Sequence, residues 1–154
     1  MTKKSWRVWL MIKVHVTLEP DGEAPHIGGE SFWAEDKGQK PNQAEVCNIP
    51  VFADDISLGD IIEYRNDGEG LYEVVRVVKK VSNKLFLQYE SSKEDEELTK
   101  RNFGEIVDYL KQYKFRCEGF APGFISCAYD KKMSELKISR ILAKCPHLIP
   151  ADSE

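Results

Sequence analysis

Carboxylates are the groups in this sequence that come closest to a catalytic pattern: Asp54 with Asp55, Asp60 with Glu63, and Glu35 with Asp36. Glycoside hydrolysis and metal-assisted hydrolysis both need two acids held at a set separation or joined on a cation. Adjacent residues on a strand point to opposite faces, and residues three apart do the same. Asp60 and Glu63 therefore meet only if a bulge resets the pleat, which makes a hydrolase built on them the weakest of three functional readings. Asp54 and Asp55 read as the solvated edge of a loop.

Thiol chemistry is the next candidate. A nucleophilic cysteine needs a nearby base, and His26 or His147 could supply one. The four cysteines, Cys47, Cys117, Cys127 and Cys145, lack C-x-x-C spacing and no glycine-flanked elbow surrounds any of them, so they read as reduced thiols in core or half-buried positions. His15, His26 and His147 are scattered and lack metal-ligand spacing, so neither zinc nor any other cofactor is expected. The stretch HIGGES enters a strand rather than a helix N-terminus, and so lacks the converging amides that hold phosphate.

The elements that would position these groups follow from periodicity. From Trp6 to Leu18 apolar residues alternate, with Trp6, Val8, Leu10, Ile12, Val14, Val16 and Leu18 on one face, as in a long half-buried strand. Residues 19–30 are dense in Gly, Pro and acids and form a turn or wide loop. Short extended runs at 30–35 and 45–49 flank the loop DKGQKPNQ, and a strand at 60–65 follows the turn SLGD. NDGEG carries the Asp-Gly hairpin signal, LYEVVRVVKKV leaves it as a strand, and Asn83 turns the chain into LFLQYES. Residues 1–90 are thus expected to be an antiparallel β-barrel or bent sheet.

The pattern changes at SSKEDEEL, where Ser91 or Ser92 can cap a helix whose first turn holds Glu94, Asp95, Glu96 and Glu97. Phe103, Ile106, Val107 and Leu110 give that helix an apolar stripe. FRCEGF and FISCAYD flank a turn at Ala121, Pro122 and Gly123, and Met133, Leu136, Ile141, Leu142 and Cys145 suggest a second helix stopped before Pro146. The second half reads strand, helix, strand, strand, helix, a split βαββα, ferredoxin-like pattern. The fold class is α+β, with subdomains at 1–90 and 91–154 expected to pack as one unit.

Several of these features occur in a fixed order: Glu30 before Phe32 and Trp33, then Asn48-Ile49-Pro50-Val51-Phe52, then Leu58-Gly59-Asp60-Ile61-Ile62-Glu63. In that order, with Glu118 and the closing stretch CAYDKKMSELKISRILAK, the chain resembles domain of unknown function family 4265, a family of short bacterial proteins. The likeness spans roughly residues 30 to 145 and is strongest at 48–63; Lys84-Leu85-Phe86-Leu87 departs from the small polar residues expected there. The resemblance implies a fold and no activity. Pro50 ends a strand and Gly59-Asp60 admits the next, which explains most of the motif structurally.

At 154 residues, with 42% hydrophobic and 31% charged residues, the chain has the makings of a folded domain. Its formal charge of -4 disfavours nucleic acid and favours a basic protein partner. Arg7, Lys13 and His15 interrupt the apolar N-terminal run, so neither a signal peptide nor a membrane span is expected and the cytoplasm is the expected compartment. Acidity and size together point to a non-enzymatic binding protein, most concretely an immunity protein that neutralises a bacterial nuclease toxin of the contact-dependent inhibition type. Glu94, Asp95, Glu96 and Glu97, then Asp54 and Asp55, are the expected contacts, with Tyr72 or Tyr89 as aromatic anchors. The alternative is a small-molecule-binding regulatory module that forms a homodimer by pairing sheets.

Overall fold

The computed structural model describes residues 10–18 and 28–150. Trp6, Val8 and His26 lie outside the described residues. The chain divides into two units, 1–81 and 82–154.

In the first unit, β1 (Leu10–Thr17), β2 (Gly29–Asp36), β3 (Gln43–Val46), β4 (Ile61–Asn66) and β5 (Tyr72–Lys79) form a closed barrel in chain order. Each strand pairs antiparallel with the next, but β1 and β5 close the barrel in parallel, with Val14 opposite Tyr72. This corrects the all-antiparallel expectation, and the reason is parity. In an up-and-down order of five strands the first and last run the same way. The alternation of β1 is realised: Ile12 and Val14 point inward to join Phe32, Ala34, Ala44, Val46, Ile62 and Tyr64, with Val16 and Leu18 packed against them. Leu10 is exposed.

Two register shifts interrupt the β4–β5 ladder, between Ile61 and Ile62 and between Glu63 and Tyr64. Both extra residues, Val78 and Val75, lie on β5, because the pairing skips them. The bulges bend β5 and leave the alternation of β4 intact.

In the second unit, β6 (Ser82–Gln88), β7 (Arg116–Ala121) and β8 (Phe124–Asp130) form an antiparallel sheet in the order β6-β8-β7. Helix α1 (Glu96–Lys111) connects β6 to β7, and α2 (Glu135–Ala143) follows β8. The segment LFLQYES therefore opens the second unit instead of completing the barrel. Odd-numbered side chains of the sheet, Leu85, Leu87, Cys117, Ile125, Cys127 and Tyr129, meet Ile106 and Leu110 of α1 and Ile138 and Ile141 of α2.

Asp95, not Ser91 or Ser92, caps α1, accepting from the Leu98 N–H at 3.0 Å. Ser92 instead accepts from Glu94 N–H at 3.2 Å, while its own N–H donates to Thr99 Oγ1 at 3.0 Å. Only Glu96 and Glu97 stand in the first turn, where they favour the positive end of the helix dipole. At the β7–β8 turn Gly123 has φ +85°, and a Cβ there would come within 2.6 Å of Ser91 Oγ.

Tyr64 spans the barrel interior, its hydroxyl donating to Asp36 of β2. Burial first, then this bond, raises its phenol well above the usual value of 10. The folded state thus keeps a proton that the unfolded chain releases above about pH 10, and stability is lost as pH rises beyond that point. Barrel unfolding followed by urea titration between about pH 9 and pH 11 is expected to weaken steeply in the wild type and less steeply in Tyr64→Phe.

Candidate functional site

The connection from β3 to β4, residues 47–60, carries most of the sequence motif. A loop of this length must satisfy many backbone N–H groups without a ladder. Two carboxylates meet much of that need. Glu30, at the start of β2, accepts from Val51 N–H at 2.7 Å through one oxygen and from Phe52 and Ala53 N–H, both at 2.9 Å, through the other. Successive amides converging on one anion form a nest, here filled by the chain's own side chain. Asn48 adds a third tie, its Oδ1 accepting from Trp33 N–H at 2.8 Å, while Cys47 N–H donates to Trp33 O at 2.9 Å.

Asp60 is the second carboxylate, and it is fully buried at 0% exposure. Its Oδ2 accepts from Ser57 N–H at 2.9 Å and from Lys80 Nζ at 2.7 Å, and its Oδ1 accepts from Val81 N–H at 2.8 Å. Lys80 Nζ also donates to Asp55 O at 3.0 Å. One side chain thus joins the turn before β4 to the residues that follow β5. Gly59 sits in this turn at φ +85°, and its N–H donates to Val46 O at 2.8 Å. A β-carbon at such φ costs about 1–2 kcal/mol, which explains the glycine.

Between the two anchors Ile49, Ala53 and Ile56 turn inward and are buried. Phe52 is left 48% exposed, with Asp54 and Asp55 exposed beside it in sequence. The loop therefore presents an aromatic ring and two acids on a backbone fixed from below.

The other sequence candidates are dispersed. Glu63 faces away from Asp60 and pairs with Arg76 at 2.6 Å, so no bulge brings the two acids together. Asp36 accepts from Tyr64 and from Gly38 N–H, while Glu35, its neighbour on β2, is opposite Glu45 of β3 and Met11 of β1. His15 bonds Ser31 and His147 bonds Glu105, so both described histidines have partners other than a cysteine. Gly29 begins β2, as the strand reading of HIGGES expects. Among the described residues no group of three His, Cys, Asp or Glu side chains could hold a metal ion. No described helix is long and apolar enough to cross a membrane.

Glu94, Asp95, Glu96 and Glu97 are all exposed, with Asp95 committed to its cap. Tyr72 is half-buried against the barrel core, in edge contact with Tyr64 at 5.6 Å between ring centres. Tyr89 is 4% exposed and belongs to the second core. Neither tyrosine offers an open ring; Phe52 does. Sequence reasoning missed Phe52 because it lies in a loop with no periodic pattern to assign it a side, and missed the role of Glu30 because strand periodicity says nothing of the amides, 21 to 23 residues on, that its carboxylate accepts from.

The family model for Domain of unknown function (DUF4265) matches residues 30–146. The chain belongs to the DUF4265 family. The DUF4265 match begins at Glu30 itself and takes in Asp60 and the whole loop between them, together with α1, β7, β8 and α2. Strand β1, which pairs with both β2 and β5, lies before it. No curated protein matches this DUF4265 chain. A solved structure described as a novel crystal structure of a hypothetical protein from Neisseria gonorrhoeae is similar in fold, with a TM-score of 0.60 and 12% identity, over 88% of this chain and 86% of that one.

If Asp60 is a structural junction, removing its carboxylate takes one acceptor from Lys80, which keeps Asp55 O, and leaves two backbone N–H groups without theirs. Asp60→Ala is expected to lower the stability of the first unit by about 3 kcal/mol, whereas Glu63→Ala, which breaks an exposed pair, costs under about 1 kcal/mol. Trp33 lies on β2 of the first unit and the second unit contains no tryptophan, so tryptophan fluorescence during urea unfolding checks both values.

Proposed function

We propose that this protein is a non-enzymatic binding protein for a basic protein partner, most concretely an immunity protein that occupies the cleft of a bacterial nuclease toxin in the cytoplasm. The observation that carries the reading is Phe52, exposed on a loop that the Glu30 carboxylate fixes, with Asp54 and Asp55 exposed next to it. Binding energy at interfaces concentrates in a few aromatic anchors, and an anchor already held in place loses little entropy on docking. Acids around it complement a cationic surface and speed encounter. The exposed Glu94, Glu96 and Glu97 at the start of α1 offer a second acidic surface, ordered by the Asp95 cap. The formal charge of -4 favours the same kind of partner. Within this reading the βαββα unit is a ferredoxin-like variant without a fourth strand.

The test screens the products of genes neighbouring this one for a basic nuclease domain that the protein binds, and measures the binding rates over a range of salt. Phe52→Ala is expected to raise the dissociation rate by at least about tenfold, as loss of an interface anchor does. Charge reversal at Glu94, Glu96 and Glu97 is expected to lower the association rate and flatten its salt dependence. A domain that fails to bind, or rates that neither change alters, would contradict the proposal.

A further inference from the structure

The second unit holds three of the four cysteines, and two of them face each other. Cys117 on β7 and Cys127 on β8 are register partners, with their sulfurs 3.3 Å apart. Directly opposite residues of an antiparallel pair have Cα atoms about 4.5–5.5 Å apart, inside the roughly 4.4–6.8 Å that a disulfide spans. The sulfurs need to close by about 1.3 Å to reach bonding distance, a movement that small side-chain rotations supply. Cys127 is fully buried and Cys117 is half-buried, so an oxidant in solution reaches Cys117 first.

We infer that Cys117 and Cys127 form a thiol oxidation site that low-molecular-weight disulfides convert into a cross-strand disulfide. Cys117 Sγ, as thiolate, attacks one sulfur of the small disulfide; that S–S bond breaks, one small thiolate leaves, and a mixed disulfide forms on Cys117. Cys127 then gives up its proton and attacks Cys117 Sγ, releasing the second small thiolate. Two protein thiols are oxidised, one small disulfide is reduced to two thiols, and the protons balance. The thiol bond from Cys127 lowers the Cys117 pKa against the opposing effect of burial, which suits Cys117 to the first attack. Burial, with the Cys117 charge adding, pushes Cys145 up to about 11, and burial likewise raises Cys47. Those two thiols are therefore poor competitors.

The experiment treats the full chain with oxidised glutathione under native conditions, quenches in acid, and digests without reductant using a glutamate-specific protease. Cleavage after Glu118 separates Cys117 from Cys127, so a bond between them shows as two joined peptides. Expected are a loss of two thiols, an intact mass lower by two hydrogens, and the joined 117 and 127 peptides, all retained in Cys145→Ser. Cys117→Ser is expected to lose the joined product. A lasting glutathione adduct on Cys117 without closure, a bond through Cys145 or Cys47, or four unreacted thiols would overturn the inference. Were Cys117→Ser to misfold, the wild type and Cys145→Ser would still decide it.

Discussion

A buried or half-buried backbone amide that no ladder satisfies must find another acceptor, and at five such amides in this barrel the acceptor is one of two carboxylates. Glu30 gathers three consecutive N–H groups, and Asp60 gathers two together with the Lys80 ammonium. Bonds to an ionised acceptor are worth about twice neutral ones. Each site also spans residues far apart in sequence, from Glu30 to Ala53 and from Ser57 to Val81. The loop between β3 and β4 is thereby held at both ends, and what it exposes is a consequence of what it hides. Ile49, Ala53 and Ile56 go inward, and Phe52 with the two aspartates goes out.

This division changes the meaning of the acids in the sequence. Read as types and spacings, Asp60 and Glu63 could belong to a hydrolase. In the fold their environments diverge completely: one is sealed between backbone amides and a lysine, the other forms an ion pair with Arg76 on the next strand. The alternation of β4 already separated them, and the bulges that could have reunited them fall on β5.

Much of the architecture was legible because its causes are local. Period-two alternation marked β1, the Asp-Gly turn marked the β4–β5 hairpin, and the apolar stripe ending before Pro146 marked α2. The barrel's closure was misjudged through one strand. Counting LFLQYES among the barrel strands gives an even number and antiparallel closure, whereas its pairing with β8 leaves five and forces β1 beside β5 in parallel. Strand partners at long range carry no periodic signature. The same holds for exposure off the ladders: Phe52, Tyr72 and Tyr89 are similar as sequence and differ as surface, because only tertiary packing decides which ring is covered. At α1 the competition among Ser91, Ser92 and Asp95 for the cap was settled by the Ser92–Thr99 bonds, which tie Ser92 into the approach to the helix.

The central claim is that the Glu30 carboxylate holds the loop that presents Phe52. Residue-resolved amide hydrogen exchange tests it most directly, by comparing Val51, Phe52 and Ala53 in the wild type with the same amides in Glu30→Gln. The account predicts that all three are protected in the wild type and lose that protection together in the variant, while Val14 and Ile62 in the barrel core stay protected. Rapid exchange at these three amides in the wild type, or unchanged protection in the variant, would contradict it.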